Sequence, residues 1–352
     1  MFKRSSISAF CIVLAASLSG TYSSSIAAES ASALTGEELV KQAQAEGSVV
    51  WWTGMPQIEA TSIASAFEAK YGIPVTIQRA AANALFERFT TSYEAGHREA
   101  DVFNVLNPAM LEELSAQDML DELSRDIVDG VDPALKAKDD RWVSVRIMPT
   151  VISYNTRLEN PPSTWDDLLD PQYRGKIGLV DPRTNNGGHL WYYALRKPLG
   201  KDVAWMEALK AQDVKYYPET TAAANALAAG EVMVVANMLD ARTVNLQGDG
   251  APVANVYPTG DEEGTPLALD AAGVIRDGPN PAAAQLLVKF LLSPEGGQVV
   301  AEHSFAYVAV ENVQPAGDRP RLDELSIVDV AFDDMFAGMV ELRDEMYRVF
   351  GQ

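Results

Sequence analysis

The sequence predicts an α/β fold in two lobes, each a mixed, mostly parallel sheet flanked by helices, with a ligand cleft between them. Three observations carry this. Short apolar runs alternate with longer amphipathic ones from Ser48 onward, the pattern of strands and helices in an α/β chain. The pattern resumes after an irregular stretch in the middle of the chain. The length of 352 residues accommodates about two domains at roughly 150 residues each.

In the first lobe the apolar spacing predicts strands at Val49 to Thr53, Pro74 to Gln78 and Asp101 to Val105. Between and after them it predicts helices at Ile58 to Tyr71, Ala84 to Ala95 and Pro108 to Ala116. After the irregular stretch, Val151 to Asn155 reads as extended, Thr164 to Leu169 as helical and Ile177 to Val180 as extended. Gly188 to Lys197, Val203 to Ala211 and Thr220 to Ala229 read as helices, with strands at Val214 to Tyr217 and Val232 to Ala236. Gly230 is placed to end the third of these helices. Val253 to Tyr257 and Leu267 to Ile275 read as a return crossing between lobes, followed by helices at Pro281 to Leu292 and Pro294 to Ala301. Asp329 to Phe350 reads as one long carboxyl-terminal helix. The expected layout is residues 29–148 and 260–305 in the first lobe, 149–259 in the second, and 306–352 as a helical segment assigned to neither. More than one crossing between lobes makes a hinged cleft, where α/β lobes bind ligands.

The amino terminus has the order of a secretory signal. Lys3 and Arg4 precede an apolar run from Ala9 to Leu18, and small residues at Ser25, Ala27 and Ala28 offer cleavage sites. Residues 1–28 are therefore expected to be a cleaved leader, leaving the mature protein in the periplasm. The only cysteine, Cys11, lies in this leader, and Ser8-Ala9-Phe10 before it is unlike a lipobox. Stability of the mature chain must then come from a packed core and not from disulfides. No later run is long and apolar enough to span a bilayer, so no direct membrane insertion is expected.

Charge narrows the partners. The net charge is −21, and loss of Lys3 and Arg4 makes it more negative still. Such a field repels nucleic acid and anionic lipid, so nucleic acid is not an expected partner. His97, His189 and His303 are widely separated and lack metal-ligand spacing, which argues against metal catalysis or structural zinc. There is no G-x-S-x-G elbow, P-loop, dinucleotide fingerprint or H-E-x-x-H, so the chain is not read as an enzyme and no cofactor is expected.

The most informative loop runs from Asp181 to Gly188, after a strand and into a helix. Backbone N–H groups at a helix start carry the positive end of the helix dipole and favour a carboxylate, phosphate or phosphonate. Thr184, Asn185, Asn186 and Gly187 are the candidate contacts there, although Thr, Asn and Gly also suit an ordinary cap and turn. From the first lobe the candidates are Gly54 and Met55 in the first strand-to-helix turn, with Arg79 and Asn83 at the next. Asn237 and Asp240 complete the set. Asp240 would receive a cationic end of the ligand or, equally, cap the helix that follows it.

The ordered segments Val49-Val50-Trp51-Trp52, Phe67-Glu68-Ala69-Lys70-Tyr71-Gly72-Ile73-Pro74-Val75, Ser153-Tyr154-Asn155-Thr156, Trp165-Asp166-Asp167-Leu168-Leu169-Asp170-Pro171 and Ala229-Gly230-Glu231-Val232 resemble the extracellular solute-binding proteins of bacterial ABC importers, in the branch that includes ferric-iron binding proteins. Further matches at Gly278 to Ala283 and Phe290 to Glu295 extend the likeness over residues 48–295. The resemblance implies a type 2 periplasmic binding protein whose lobes close over a ligand, a membrane permease as partner, and a monomer.

Ferric members of that family hold iron with a histidine in the first turn, a glutamate after the third strand and two adjacent tyrosines after a late strand. The matching positions here are Pro56, Leu106, Asp240 and Ala241, and three of the four offer no anionic oxygen to a hard ferric ion. The resemblance thus implies a receptor, while these residues move the expected ligand from iron to a small anion or zwitterion. Iron carried by a chelator, a periplasmic enzyme or a signalling receptor in the same cleft remain the alternatives.

Overall fold

The computed structural model describes residues 30–351 except 261, 311, 312, 314 and 315. The expected leader, with Cys11, lies outside the described residues. In chain order the elements begin with α1 (Gly36–Glu46), β1 (Val49–Thr53), α2 (Gln57–Tyr71), β2 (Val75–Arg79), α3 (Ala82–Glu94), β3 (Val102–Val105), α4 (Pro108–Ala116) and α5 (Arg125–Val128). They continue with β4 (Val143–Asn155), β5 (Ile177–Val180), α6 (Asn186–Arg196), α7 (Val203–Lys210), β6 (Lys215–Tyr217), α8 (Thr220–Ala229), β7 (Val234–Leu239), α9 (Asp240–Gly248) and β8 (Val253–Val256). The chain ends with β9 (Thr265–Val274), α10 (Pro281–Leu291), α11 (Pro294–Ser304), β10 (Ile327–Val328), α12 (Phe332–Ala337) and α13 (Met339–Phe350).

The strands form one continuous path, β2-β1-β3-β9-β4-β7-β5-β6, with β10 beside β9 and β8 beside β4. Parallel triplets lie at each end: β2, β1 and β3 in the first lobe, and β7, β5 and β6 in the second. The antiparallel strands β4 and β9 join them. Strand β4 changes partner midway. Its residues up to Pro149 pair with β9, and from Thr150 onward they pair with β7, so one strand threads both lobes.

Each lobe has its own core. Trp51, Ile63, Phe67 and Phe290 lie in the first, and Trp165, Trp191, Tyr192 and Met346 in the second. Trp51 and Trp52 alternate across β1 yet are both buried, because a parallel strand inside an α/β lobe is covered on both faces.

Three expectations change. The stretch before Val151, expected to be irregular, contains the first half of β4; its charged Arg146 and its Pro149 hide the strand pattern, but Arg146 is buried against Asp270 of β9. The helix expected at Thr164 to Leu169 is a short 3-10 turn at Asp166–Leu169. The long terminal helix divides at Gly338 into α12 and α13, consistent with the low helix propensity of glycine. Helix α1, which pattern reading does not anticipate, packs against α10.

The two pieces of the terminal helix between them touch both lobes. On α12, the Phe332 ring meets Trp142 edge-on, 6.3 Å between centroids, beside α4 of the first lobe. On α13, Glu345 accepts hydrogen bonds from Tyr192 Oη at 2.9 Å and Arg196 Nε at 2.7 Å on α6 of the second.

Candidate functional site

A cavity of about 270 Å³ lies between the lobes. From the first lobe it is lined by Ala81, Ala82 and Asn83 at the start of α3, and by Leu106 after β3. Thr150 of β4 also lines it. The second lobe contributes Val180, Thr184, Asn185, Gly187 and Gly188 around the turn into α6, Thr220 at the start of α8, and Asn237 and Leu239 at the end of β7. Four helices therefore begin at this cavity, α3 from the first lobe and α6, α8 and α9 from the second.

Their starts are not alike. At α6 the Asn185 side chain is the N-cap and accepts from Gly187 N at 2.9 Å and Gly188 N at 3.3 Å. At α3 and α8 no side chain makes a cap hydrogen bond. The first-turn N–H groups of a helix have no partner within the helix and carry roughly half a positive charge, so α3 and α8 present donors to the cavity from opposite lobes. No ionisable side chain among the described residues belongs to the lining. Among the described residues, no group of three or more His, Cys, Asp or Glu side chains is placed to hold a metal.

The turn into α6 is held from behind. Arg183 binds Asp181 through Nε at 2.8 Å and Nη2 at 2.7 Å, and donates to the carbonyl of Gly351 at 2.8 Å. Burial pushes the Asp181 carboxyl up, but its bonds to Arg183 outweigh that and hold it below the ordinary range. Gly188 is required by contact: a Cβ there would meet Pro182 Cα at 2.6 Å, so only glycine lets α6 start this close to the turn.

Asn83, Thr184, Asn185, Gly187 and Asn237, all candidates from the sequence, line the cavity. Asn186 is the first residue of α6. Asn237 is occupied by the protein: its amide accepts from Val180 N at 2.8 Å and donates to Val180 O at 2.9 Å. It continues the β5 and β7 ladder, whose paired residues stop at Gly178 and Val235, and holds the strand ends at the cavity edge.

The other four candidates are not among the lining residues. Met55 is fully buried in the first-lobe core, and its N–H donates to Thr53 Oγ1 at 3.0 Å. Gly54 N donates to Asn104 O at 2.9 Å, and Arg79 Nε donates to Met55 O at 3.2 Å, so these contacts close the first turn on itself. Asp240 is fully buried and paired with Arg319 Nη1 at 2.8 Å, with Tyr257 Oη donating at 3.1 Å and Ala241 N at 2.6 Å. Burial outweighs these partners and pushes its carboxyl up to about 6. Asp240 thus already has a cation, supplied by the segment that precedes β10.

Ala81, Ala82, Thr150, Val180, Thr220 and Leu239 escape the sequence reading. Thr220 carries a signal, since it opens a legible helix after a strand; Thr150 carries none, because it lies where the strand pattern is obscured.

The profile of the bacterial extracellular solute-binding proteins matches residues 59–306. The iron uptake protein A1 of Synechocystis sp. is 23% identical over 260 residues, covering 70% of this chain and 71% of that protein. A putative 2-aminoethylphosphonate-binding periplasmic protein of Salmonella typhimurium is 22% identical over 262 residues, covering 72% and 74%. Among solved structures, iron-bound HitA from Pseudomonas aeruginosa superposes with a TM-score of 0.75 at 22% identity, over 85% of this chain and 99% of that one. AfuA from Actinobacillus pleuropneumoniae with fructose-6-phosphate gives 0.69 at 22% identity, over 86% and 96%. These neighbours share the two-lobed fold, and with the match over most of its length the chain belongs to the bacterial extracellular solute-binding proteins, the binding components of ABC importers.

Proposed function

We propose that this protein captures a small anionic solute in the periplasm by closing its lobes, and delivers it unchanged to a membrane permease. The observation that supports this most is the cavity: uncapped starts of α3 and α8 from opposite lobes, hydroxyls of Thr184 and Thr220, and, among the described residues, no charged lining side chain. An oxyanion that accepts from both lobes at once stabilises the shut form over the open one. The lobe limits proposed are residues 29–148 with 260–305, and 149–259.

The ligand chemistry is that of a phosphonate, phosphate monoester or carboxylate. A zwitterion would be gripped at its anionic end, since Asp240 is matched by Arg319. The relatives named for iron do not alter this. Leu106 lines the cavity where the resemblance places a glutamate, and it offers a ferric ion no oxygen.

Native mass spectrometry of the purified mature protein, with thermal denaturation against inorganic phosphate, 2-aminoethylphosphonate, fructose 6-phosphate, ferric ion and glucose, tests the reading. An oxyanion at 100 times its Kd is expected to stabilise the fold by about 2.7 kcal/mol and to be recovered unchanged. Stabilisation by ferric ion or glucose alone would overturn it, and turnover of any probe would overturn the receptor role.

A further inference from the structure

We propose that the Thr150 hydroxyl is a ligand contact at the hinge, donating to an oxygen of the bound anion; this rests on the anionic reading of the cleft. Thr150 is 1% exposed and lines the cavity. Its Oγ1 has no hydrogen-bond partner among the described residues. The other buried hydroxyls of β4 are matched: Ser144 Oγ donates to Arg146 O at 3.1 Å, and Ser153 Oγ bonds Thr243 Oγ1 at 2.8 Å and Asn255 Oδ1 at 2.7 Å. Neither of those serines lines the cavity. On this strand, then, the buried hydroxyl of the residue that lines the cleft is the one left unmatched.

Its position gives the contact a consequence. Pro149 is the last residue of β4 paired with β9, opposite Leu267, and Thr150 the first paired with β7, opposite Leu239. Thr150 therefore sits where the strand passes from one lobe's pairing to the other's. A ligand oxygen bonded there, while other oxygens accept from the starts of α3 and α8, ties both lobes and the strand between them to one molecule. A hydrogen bond to a charged acceptor is the stronger kind, so the Thr150 hydroxyl favours an oxyanion over a neutral acceptor.

The test uses the mature chain with Thr150→Val and Thr150→Ser, titrated calorimetrically with inorganic phosphate, 2-aminoethylphosphonate and fructose 6-phosphate, and melted without ligand. Thr150→Val keeps the branched shape and removes the hydroxyl; affinity is expected to fall by about 10-fold or more. Thr150→Ser is expected to stay within about 3-fold of wild type, because it retains the donor. Ligand-free Thr150→Val is expected to melt at or above wild type, since it deletes a buried polar atom that lacks a partner. A merely structural hydroxyl would instead lower the melting temperature and leave affinity alone.

Wild-type affinity in Thr150→Val, with or without a lower ligand-free melting temperature, overturns the assignment. If valine is not accommodated, Thr150→Ala against Thr150→Ser makes the same comparison with the same two readouts. Wild-type protein that binds none of the three anions overturns the anionic reading and this inference together, whereas wild-type binding that the Thr150 substitutions leave unmoved overturns this inference alone.

Discussion

The wall of the cleft and the layer just behind it handle charge in opposite ways. The wall holds helix starts, hydroxyls, amides and aliphatic groups, with no ionisable side chain among the described residues. Behind it, Arg146 of β4 contacts Asp270 of β9, with Nε to Oδ2 at 2.8 Å, and also Glu59 of α2. Asn104 donates to Asp270 Oδ1 at 2.8 Å and accepts from Thr53 Oγ1 at 2.7 Å. Asp240 and Arg319 form a second enclosed pair. The contrast teaches that charged residues near a cleft need not face it: paired inside, they hold the fold, while neutral dipoles are left for the ligand.

Breaking the layer behind should cost stability first. Arg146→Met leaves Glu59 and Asp270 buried without their cation, and burial already pushes both carboxyls up. A loss of about 3–5 kcal/mol in urea denaturation is expected. Asp240→Ala, which strands Arg319, belongs to the same range. In both variants the folded fraction should keep its ligand affinity within a few-fold. A loss of affinity larger than the loss of stability would break the contrast.

Asp240 also gives it a pH signature. Its folded carboxyl is raised from 3.8 to about 6, so between those values the folded state binds more protons than the unfolded state. The contribution of Asp240 is therefore fullest below about pH 4 and declines as pH rises through about 6. Wild type should lose stability relative to Asp240→Asn over that window and run parallel to it above.

Substitutions in the wall sharpen the comparison at smaller cost. Gly188→Ala drives a Cβ against Pro182; about 1–3 kcal/mol of destabilisation is expected, with loss of oxyanion binding by calorimetry. The paired control is Gly54→Ala, whose Cβ would find Val105 Cγ1 at 3.6 Å; it should stay within about 0.5 kcal/mol of wild type and leave affinity unchanged. Asn185→Ala removes the cap from α6 and should cost about 1 kcal/mol by thermal denaturation.

Much of the fold was legible residue by residue. Strands β1 and β5 and helices α4 and α8 match their sequence-based bounds, because each is a short apolar or amphipathic run with clear ends. Half of β4 was not, since the burial of Arg146 depends on Asp270, far away in the chain. The lining of the candidate site was legible on its second-lobe side, where Thr184, Asn185 and Gly187 share one turn before a helix. Met55, Arg79 and Asp240 have chemistry that suits ligand contact, but each has a protein partner that sequence spacing does not reveal.

By itself the sequence determined the α/β alternation, the resemblance to solute receptors and the absence of ferric ligands at Pro56, Leu106 and Ala241, all of them properties of residue type and local order. Only the tertiary structure decided which polar groups face the cleft. Asp240 turns to Arg319, Asn237 closes on Val180, and Thr150 is left without a partner. The physical reason is that a hydrogen bond or ion pair is settled by what lies within about 3 Å in space, and for these groups the partner, or its lack, is set by chain segments distant in sequence.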